Sequence, residues 1–194
     1  PRPSAPTAEA LRGLVRAHLE QISFENLEIA REGRCPSLES EDLFQKVVDR
    51  HRGGYCFELN KLFYLLLQEL GYSCYCAAAR ILYRRTDPRP LSHRVIVVDT
   101  ADEGRWLCDV GYGGPGPKGA LRMVPGEQTA AGETFDLREE DGETVESIQK
   151  NLGYFISYEN LFSSWIAKGI DFSAEDVTDA LSAFSRLINP THKK

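Results

Sequence analysis

No apolar run in this sequence is long enough to cross a membrane. The longest one, Leu62 to Leu67, is far shorter than the about 20 residues that a transmembrane helix requires. The first three residues, Pro1 to Pro3, contain no apolar core of the kind that a signal peptide has. We therefore expect a cytoplasmic protein with no membrane partner.

An excess of basic residues is also absent. The 23 Lys and Arg residues are outnumbered by 29 Asp and Glu residues, the formal net charge is −6, and no basic stripe gathers on one segment. Because nucleic-acid backbones are bound through clustered Lys and Arg, we expect no nucleic-acid partner. The chain does have 42% hydrophobic residues over 194 positions, which is enough to bury a core in one large domain or two small ones.

The cysteines do not form the pattern of a disulfide framework or of a metal site. They are odd in number, in a chain too large to need cross-linking, and lie at Cys35, Cys56, Cys74, Cys76 and Cys108. One residue separates Cys74 from Cys76, and no second Cys or His pair follows to complete the four ligands of a zinc site. We expect no metal, and a reduced compartment in which a thiol can act chemically.

The first part of the chain, about 1–70, has the periodicity of helices. One helix is predicted from about Thr7 to Leu19, with Thr7 as its N-cap, and a second begins at Ser40 and ends near Arg50. A third is predicted from Tyr55 to Leu70, with a glycine after it as the C-terminal cap. We expect a helical domain here.

The second part, about 71–150, has short β-rich runs separated by turn residues. The runs that predict strands are Tyr75–Tyr83, Arg94–Val98, Arg105–Val110, Phe135–Arg138 and Val145–Ile148. We expect an antiparallel sheet, and therefore an α+β fold. Beyond Asn151 a helix-like pattern returns, with a capping-box pattern at Ser173–Val177.

The segment Arg52–Asn60 places a cysteine in the first turn of the third helix, directly after a pair of glycines. Unpaired amides and the helix dipole stabilise a thiolate at such a position, and glycines allow a substrate to approach the backbone. Cys56 is therefore the candidate nucleophile. The alternative is that Cys56 only fills the core under the helix, which is the commoner role of an arbitrary cysteine.

A nucleophilic thiol needs a base, and four histidines are available. His18 lies in the first helix, His51 is too near Cys56 in sequence, and His192 is near the end of the chain. His93 opens a predicted strand, and Asp109 ends the next one, so a hairpin would bring the carboxylate beside the imidazole. Taken singly, an isolated histidine or a strand-end aspartate is structural at least as often as catalytic.

Four segments together resemble the arylamine N-acetyltransferases. Each matches a motif of that family, and they follow one another in the family's order: Ser23–Glu28, Arg52–Asn60, Ser92–Val95 and Asp109–Gly114. The resemblance covers roughly 7–137, most of the chain.

The resemblance implies a papain-like arrangement. Its parts are a helical domain at 1–70 carrying the nucleophile, a β-barrel domain at 71–150 carrying the histidine and aspartate, and a C-terminal α/β lid. The lid, at 151–194, looks shortened relative to the family, and so does the N-terminal end. The resemblance further implies that Cys56 carries the acetyl group, that His93 is its base, and that Asp109 orients the imidazole.

The resemblance also implies binding residues. By this resemblance, Phe24 and Tyr112 would line a pocket for an aromatic amine. Four glycines of the loop after Asp109 would contact acetyl-CoA, the expected co-substrate: Gly111, Gly113, Gly114 and Gly116. The alternative is that these glycines only shape a turn.

We expect Arg52 and Glu58 to form an ion pair at the helix start rather than to act in catalysis.

The implied function is the transfer of an acetyl group from acetyl-CoA to an arylamine, arylhydrazine or arylhydroxylamine through a cysteine acetyl-enzyme. The rival interpretations are an amide synthase that releases a polyketide thioester, a papain-like or transglutaminase-like amidase, and an inactive homologue. The sequence leaves the preferred amine and the oligomeric state open.

Overall fold

The structure is a computed structural model that describes residues 6–81, 91–114, 116–140, 143–148 and 156–158. Helices come first along the chain and a sheet follows, which confirms the predicted α+β class. The helical elements are α1 (Ala8–Gln21), α2 (Leu27–Glu32), α3 (Ser40–Leu43), a π-helix (Phe44–Asp49) and α4 (Cys56–Glu69). Within the described ranges, no helix is long and apolar enough to cross a membrane.

Helix α1 begins where the capping pattern predicts. The Thr7 hydroxyl accepts a hydrogen bond from the Ala10 amide at 3.3 Å. A second cap comes from far along the chain, because both carboxylate oxygens of Asp102 accept from the Ala8 amide at 3.1 Å. This helix start is therefore tied directly to the turn between two strands of the sheet.

The helix predicted from Ser40 forms, but its second part has π geometry from Phe44 to Asp49. Its buried side chains, Leu43 and Val47, face the core. The short helix α2 was not predicted, and none of its residues is buried. A six-residue helix without a buried face leaves no hydrophobic periodicity for the sequence to reveal.

Helix α4 carries the candidate nucleophile at its first residue. Four large apolar side chains anchor it in the core: Phe57, Leu59, Phe63 and Leu67. Gly71 follows the helix with φ +85°, a left-handed conformation that favours glycine, so the predicted C-terminal cap is confirmed.

The described strands form one eight-stranded antiparallel sheet. They are β1 (Ser73–Ile81), β2 (His93–Thr100), β3 (Gly104–Cys108), β4 (Leu121–Arg122), β5 (Gly126–Ala130), β6 (Glu133–Glu140), β7 (Glu143–Ile148) and β8 (Ile156–Tyr158). Their order across the sheet is β4-β3-β2-β1-β8-β7-β6-β5. The five predicted strands are all present, although residues 82–83 of the first lie outside the described residues, while β4, β5 and β8 are additional.

The sheet does not close into the predicted barrel, because in the part of the chain that the structure describes no backbone ladder joins β4 to β5. A side chain spans these two edge strands instead. The Gln128 amide oxygen accepts from the Arg122 amide at 2.8 Å, and its nitrogen donates to the Arg122 carbonyl at 2.6 Å. The Gln128 side chain therefore forms the hydrogen bonds between β4 and β5 where no backbone ladder does.

The helix-like pattern predicted beyond Asn151 is wrong at Ile156–Tyr158, which is a strand between β1 and β7. Three residues paired on both sides leave little periodicity to detect. The predicted capping box at Ser173–Val177 lies outside the described residues. The predicted domain boundaries stay predictions, although β8 shares a sheet with strands from before residue 150.

The main core lies between helices α1 and α4 and one face of strands β2 and β3. His18 belongs to this region: it is 8% exposed, and its ring packs edge-on against Phe63 at a centroid distance of 5.3 Å. Burial lowers the pKa of His18 to about 4, so the imidazole is neutral at neutral pH. His18 is therefore a packing residue and not a candidate base.

Candidate active site

Cys56 occupies the first residue of α4 and is half-buried. The helix start is fixed by a buried carboxylate, because Glu58 Oε2 accepts from the Tyr55 amide at 3.0 Å. The sulfur lies 3.9 Å from the Ser92 carbonyl oxygen, directly before the strand that holds the candidate base. The start of α4 thus faces the start of β2.

His93 and Asp109 are brought together by the β2–β3 hairpin, as predicted. The antiparallel register pairs Ile96 with Cys108, so the residue after β3 lies near the first residue of β2. His93 Nε2 is 2.5 Å from Asp109 Oδ2, and both side chains are almost completely buried. The aspartate engages one ring nitrogen and leaves Nδ1 for the side toward Cys56.

The surroundings of His93 favour its protonated form. Burial alone would lower its pKa, but the charge and hydrogen bond of Asp109, together with the Cys56 sulfur, raise it to about 10. The Asp109 carboxylate therefore stabilises the charged form of the ring.

Asn60 is a residue of this site for which sequence reasoning proposed no role. It is fully buried on α4, one turn after Cys56, and it donates to Asp109 Oδ1 at 3.0 Å. The signal that points to it is its spacing, because residues four apart lie on the same face of a helix. Gly111 also donates its backbone amide to Asp109 Oδ1, at 3.0 Å.

An apolar cavity of ≈ 300 Å³ opens beside Cys56 and His93. Its other lining residues come from α2 and the segment before it, the start of α4, the end of β1, the residue before β2 and the loop after Asp109: Phe24, Asn26, Ile29, Tyr55, Phe57, Ile81, Ser92, Gly111, Tyr112, Gly113 and Gly114. The space is large enough for one aromatic ring with its substituents. A largely apolar cleft with a few polar groups at one end is the usual form of a small-molecule site.

Both predicted pocket residues line this cavity. Phe24 is held by a parallel bridge to Gly54, where the Gly54 carbonyl accepts from the Glu25 amide at 2.9 Å. The Tyr112 ring packs edge-on against the His93 ring at a centroid distance of 5.4 Å. The aromatic walls therefore touch both the nucleophile segment and the base, while their role in amine binding stays a prediction.

The loop glycines have packing reasons of their own. A Cβ at Gly111 would lie 2.8 Å from the Cys56 Cα, and one at Gly113 would lie 2.6 Å from the Phe24 ring. At Gly114 and Gly116 a Cβ would meet the Tyr112 ring at 2.9 and 2.5 Å. These close contacts are by themselves a sufficient reason for glycine at the four positions. The assignment of the four glycines to acetyl-CoA therefore stays a prediction.

The predicted ion pair between Arg52 and Glu58 is wrong. Glu58 is 1% exposed, and its Oε1 lies 2.7 Å from the Lys46 ammonium, which is also 2.9 Å from Glu28. Arg52 instead donates through Nε to Glu25 at 3.0 Å. Lys46 reaches inward from the π-helix, and this turn geometry was not visible in the sequence.

The other thiols do not share the environment of Cys56. Burial raises the pKa of Cys74 to about 12, and it raises the pKa of Cys108, which is fully buried, above its ordinary range. Cys35 is exposed on the chain between α2 and α3. Among the described residues, no group of three or more His, Cys, Asp or Glu could hold a metal ion.

An α+β fold in which a helix-start cysteine faces a buried histidine–aspartate pair beside an apolar cavity is the arrangement expected of a cysteine-nucleophile enzyme. Comparison with known proteins identifies the family within this class. A family model described as N-acetyltransferase matches residues 7–181. The chain therefore belongs to the N-acetyltransferase family, which confirms the resemblance that the four motifs carry.

The individual relatives agree with this assignment. The arylamine N-acetyltransferase of Mycolicibacterium smegmatis is 39% identical over 130 residues, which are 65% of this chain and 46% of that protein. The solved structure of Mycobacterium marinum arylamine N-acetyltransferase in complex with CoA has a TM-score of 0.76 and 31% identity, covering 91% of this chain and 64% of that one. Proansamycin X synthase of Amycolatopsis mediterranei is 35% identical over 136 residues, which are 69% of this chain and 52% of that protein. The chain spans about half the length of the curated relatives it matches.

Proposed function

We propose that this protein transfers an acetyl group from acetyl-CoA to an aromatic amine, hydrazine or hydroxylamine through an acetyl thioester on Cys56. The observation that carries the proposal is the adjacency of three features: the Cys56 sulfur, the His93–Asp109 pair at 2.5 Å, and an apolar cavity of ≈ 300 Å³. An acyl-transfer site needs a nucleophile, an oriented base and space for the acceptor. The names of the relatives support the choice of donor and acceptor.

The first half-reaction uses the thiolate and the imidazolium. The Cys56 sulfur attacks the carbonyl carbon of the acetyl thioester, and the bond between that carbon and the CoA sulfur breaks. His93 gives its proton to the departing CoA sulfur and becomes neutral. Cys56 now carries the acetyl group, and free CoA leaves.

The second half-reaction restores the starting state. The acceptor nitrogen attacks the acetyl carbon on Cys56, neutral His93 takes the proton that the nitrogen loses, and the bond from carbon to the Cys56 sulfur breaks. Asp109 holds the ring so that Nδ1 stays directed at the reacting atoms, and it stabilises the imidazolium that reforms. The Phe24 and Tyr112 rings provide apolar contact for the aromatic ring of the acceptor.

The remaining predictions of this site belong to the same proposal. Gly111, Gly113, Gly114 and Gly116 form the loop that we assign to the acetyl-CoA side of the cleft. Gly114, Gly116 and Tyr112 line a second cavity of ≈ 300 Å³, which also includes Arg16 and Lys118. The papain-like layout that the resemblance implies belongs to the same proposal.

A second candidate is supported by one relative. This candidate is an amide synthase that accepts a longer thioester and uses the same three residues, and the 35% identity to Proansamycin X synthase supports a synthase activity. In that case the acyl group would come from a carrier-bound thioester rather than from acetyl-CoA. The two candidates differ in donor, not in the chemistry at Cys56.

The test is a product assay. The protein is mixed with acetyl-CoA and, in separate reactions, an aniline, an arylhydrazine and an arylhydroxylamine, and the CoA released is compared with the acetylated acceptor formed. We expect equal amounts of both, and no activity in Cys56→Ala. Release of acetate without acetylated acceptor would indicate a hydrolase. No reaction with acetyl-CoA, but turnover of a long-chain acyl thioester, would indicate a synthase.

A further inference from the structure

A single buried side chain connects the three parts of the candidate site. Asn60 lies four residues after Cys56 on α4 and is 0% exposed. Its Nδ2 donates to Asp109 Oδ1 at 3.0 Å and to the Arg94 carbonyl at 2.6 Å. Its Oδ1 accepts from the Val110 amide at 3.0 Å. All its polar atoms are therefore used.

The two backbone groups that bond the Asn60 side chain belong to residues next in sequence to the candidate reacting residues. Arg94 is the residue after His93, and Val110 is the residue after Asp109. One amide thus joins the nucleophile helix to the base strand and to the carboxylate loop. Because the Val110 amide is a donor and the Asp109 carboxylate is an acceptor, only one orientation of the Asn60 amide satisfies both.

We propose that Asn60 is a positioning residue that holds the Asp109 carboxylate in the plane in which it orients His93 toward Cys56. The inference rests on the proposed function in that it takes these three residues as the reacting groups. Asp109 Oδ2 bonds His93, while Oδ1 is held by two donors, Asn60 and the Gly111 amide. With both oxygens engaged, the carboxylate cannot rotate away from the imidazole.

The Gly111 amide alone would not fix the carboxylate. It lies two residues from Asp109 in the same loop and moves with that loop. Asn60, in contrast, belongs to the buried helix α4, which also carries Cys56. Its hydrogen bond therefore sets the position of the carboxylate relative to the sulfur, which no bond within the loop can do.

The contact between Asn60 and Asp109 predicts a pH dependence that a residue with only a packing role would not show. In Asn60→Asp, the new carboxyl would lie about 3 Å from Asp109 Oδ1, where two carboxylates share one proton more readily than both ionise. While that proton is present, the variant keeps a donor toward Asp109. Once the proton is lost, like charges repel and Asp109 moves from His93.

The experiment measures alkylation of Cys56 by iodoacetamide, which requires neither acetyl-CoA nor an amine. The ratio of the variant rate to the wild-type rate is recorded from about pH 5 to about pH 8 for Asn60→Asp and for Asn60→Leu. We expect the Asn60→Asp ratio to be near one at the acidic end and to fall about tenfold or more at the basic end. For Asn60→Leu we expect a ratio that is low at every pH.

Phe63→Leu provides a matched control on the same helix. Phe63 is 1% exposed, packs against His18 and does not line the cavity beside Cys56. This change should lower the melting temperature by several degrees while leaving the alkylation ratio flat with pH. It therefore reports what a loss of packing in α4 does without a change at Asp109.

Acetyl transfer is measured in parallel on the same variants, and we expect about a 100-fold loss of kcat/KM in Asn60→Leu. An Asn60→Asp ratio that stays flat with pH, as in the control, would overturn the positioning role, and this holds even if Asn60→Leu does not fold. If the wild type alkylates at Cys56 but transfers no acetyl group, the proposed function fails while the Asn60 inference still stands or falls on the alkylation ratios.

Discussion

Replacing Asp109 with Asn lowers kcat/KM about 10⁴-fold if the carboxylate sets the tautomer of His93. The new side-chain amide would keep an oxygen for the Asn60 and Gly111 donors and would turn its NH₂ group toward the imidazole. His93 Nε2 would then have to accept a hydrogen bond, which moves the ring proton to Nδ1. A protonated Nδ1 in a neutral ring cannot take the proton that the acceptor amine must lose.

The same substitution removes the charge that raises the pKa of His93. Burial, which lowers that pKa, would then be opposed only by the Cys56 sulfur, so the pKa of the imidazole would fall. Alkylation of Cys56 by iodoacetamide should slow in Asp109→Asn for this reason. Steady-state kinetics measures the effect of the changed tautomer on acetyl transfer, and the alkylation rate measures the effect of the lowered His93 pKa on Cys56.

A surface aspartate provides the control for Asp109→Asn. Asp99 lies near the end of β2 and pairs with Arg105 at 2.8 Å, with both side chains well exposed. Asp99→Asn should change kcat/KM less than about twofold and stability by less than about 1 kcal/mol. Activity in Asp109→Asn within tenfold of the wild type would mean that the carboxylate does not orient the base.

Replacing Gly111 with Ala is the second change for which we expect a large effect. A Cβ at this position would lie 2.8 Å from both the Cys56 Cα and Asn60 Nδ2, and 3.1 Å from the Cys56 carbonyl oxygen. Backbone at a helix start cannot yield cheaply, so the loop after Asp109 or the first turn of α4 must shift. We expect about 2 kcal/mol of lost stability and about a 100-fold loss of kcat/KM.

The matched control is Gly13→Ala in α1. Gly13 is an exposed helical glycine, and a Cβ added at this position would meet nothing within 4 Å. That variant should be more stable by up to about 1 kcal/mol, because alanine has the higher helix propensity, and its activity should not change. Melting curves and kcat/KM of the two alanine variants are compared side by side. Wild-type stability and activity in Gly111→Ala would show that this loop is not packed on the nucleophile.

Local signals in the sequence were enough to predict several boundaries. The hydroxyl of Thr7 caps α1 and Gly71 ends α4 in a left-handed conformation, because caps and φ preferences depend on a few neighbouring residues. The approach of Asp109 to His93 was predictable as well, since a hairpin of two adjacent strands fixes which residues face each other.

What the sequence did not reveal depends on distant or irregular parts of the chain. Lys46, rather than Arg52, pairs with Glu58 because a π-helical turn carries the lysine inward. The open edge between β4 and β5 is bridged by the Gln128 side chain, which has no sequence signature. The three hydrogen bonds of Asn60 arise only when α4, β2 and the loop after β3 meet. Each of these features is tertiary.

The most direct test of the account is the mass of the protein after mixing with acetyl-CoA alone, followed by peptide mapping. The account predicts one added acetyl group, located on the peptide that contains Cys56, absent in Cys56→Ala, and lost when an aromatic amine is added. An acetyl group that persists in Cys56→Ala, or that maps to the exposed Cys35 instead, would contradict it.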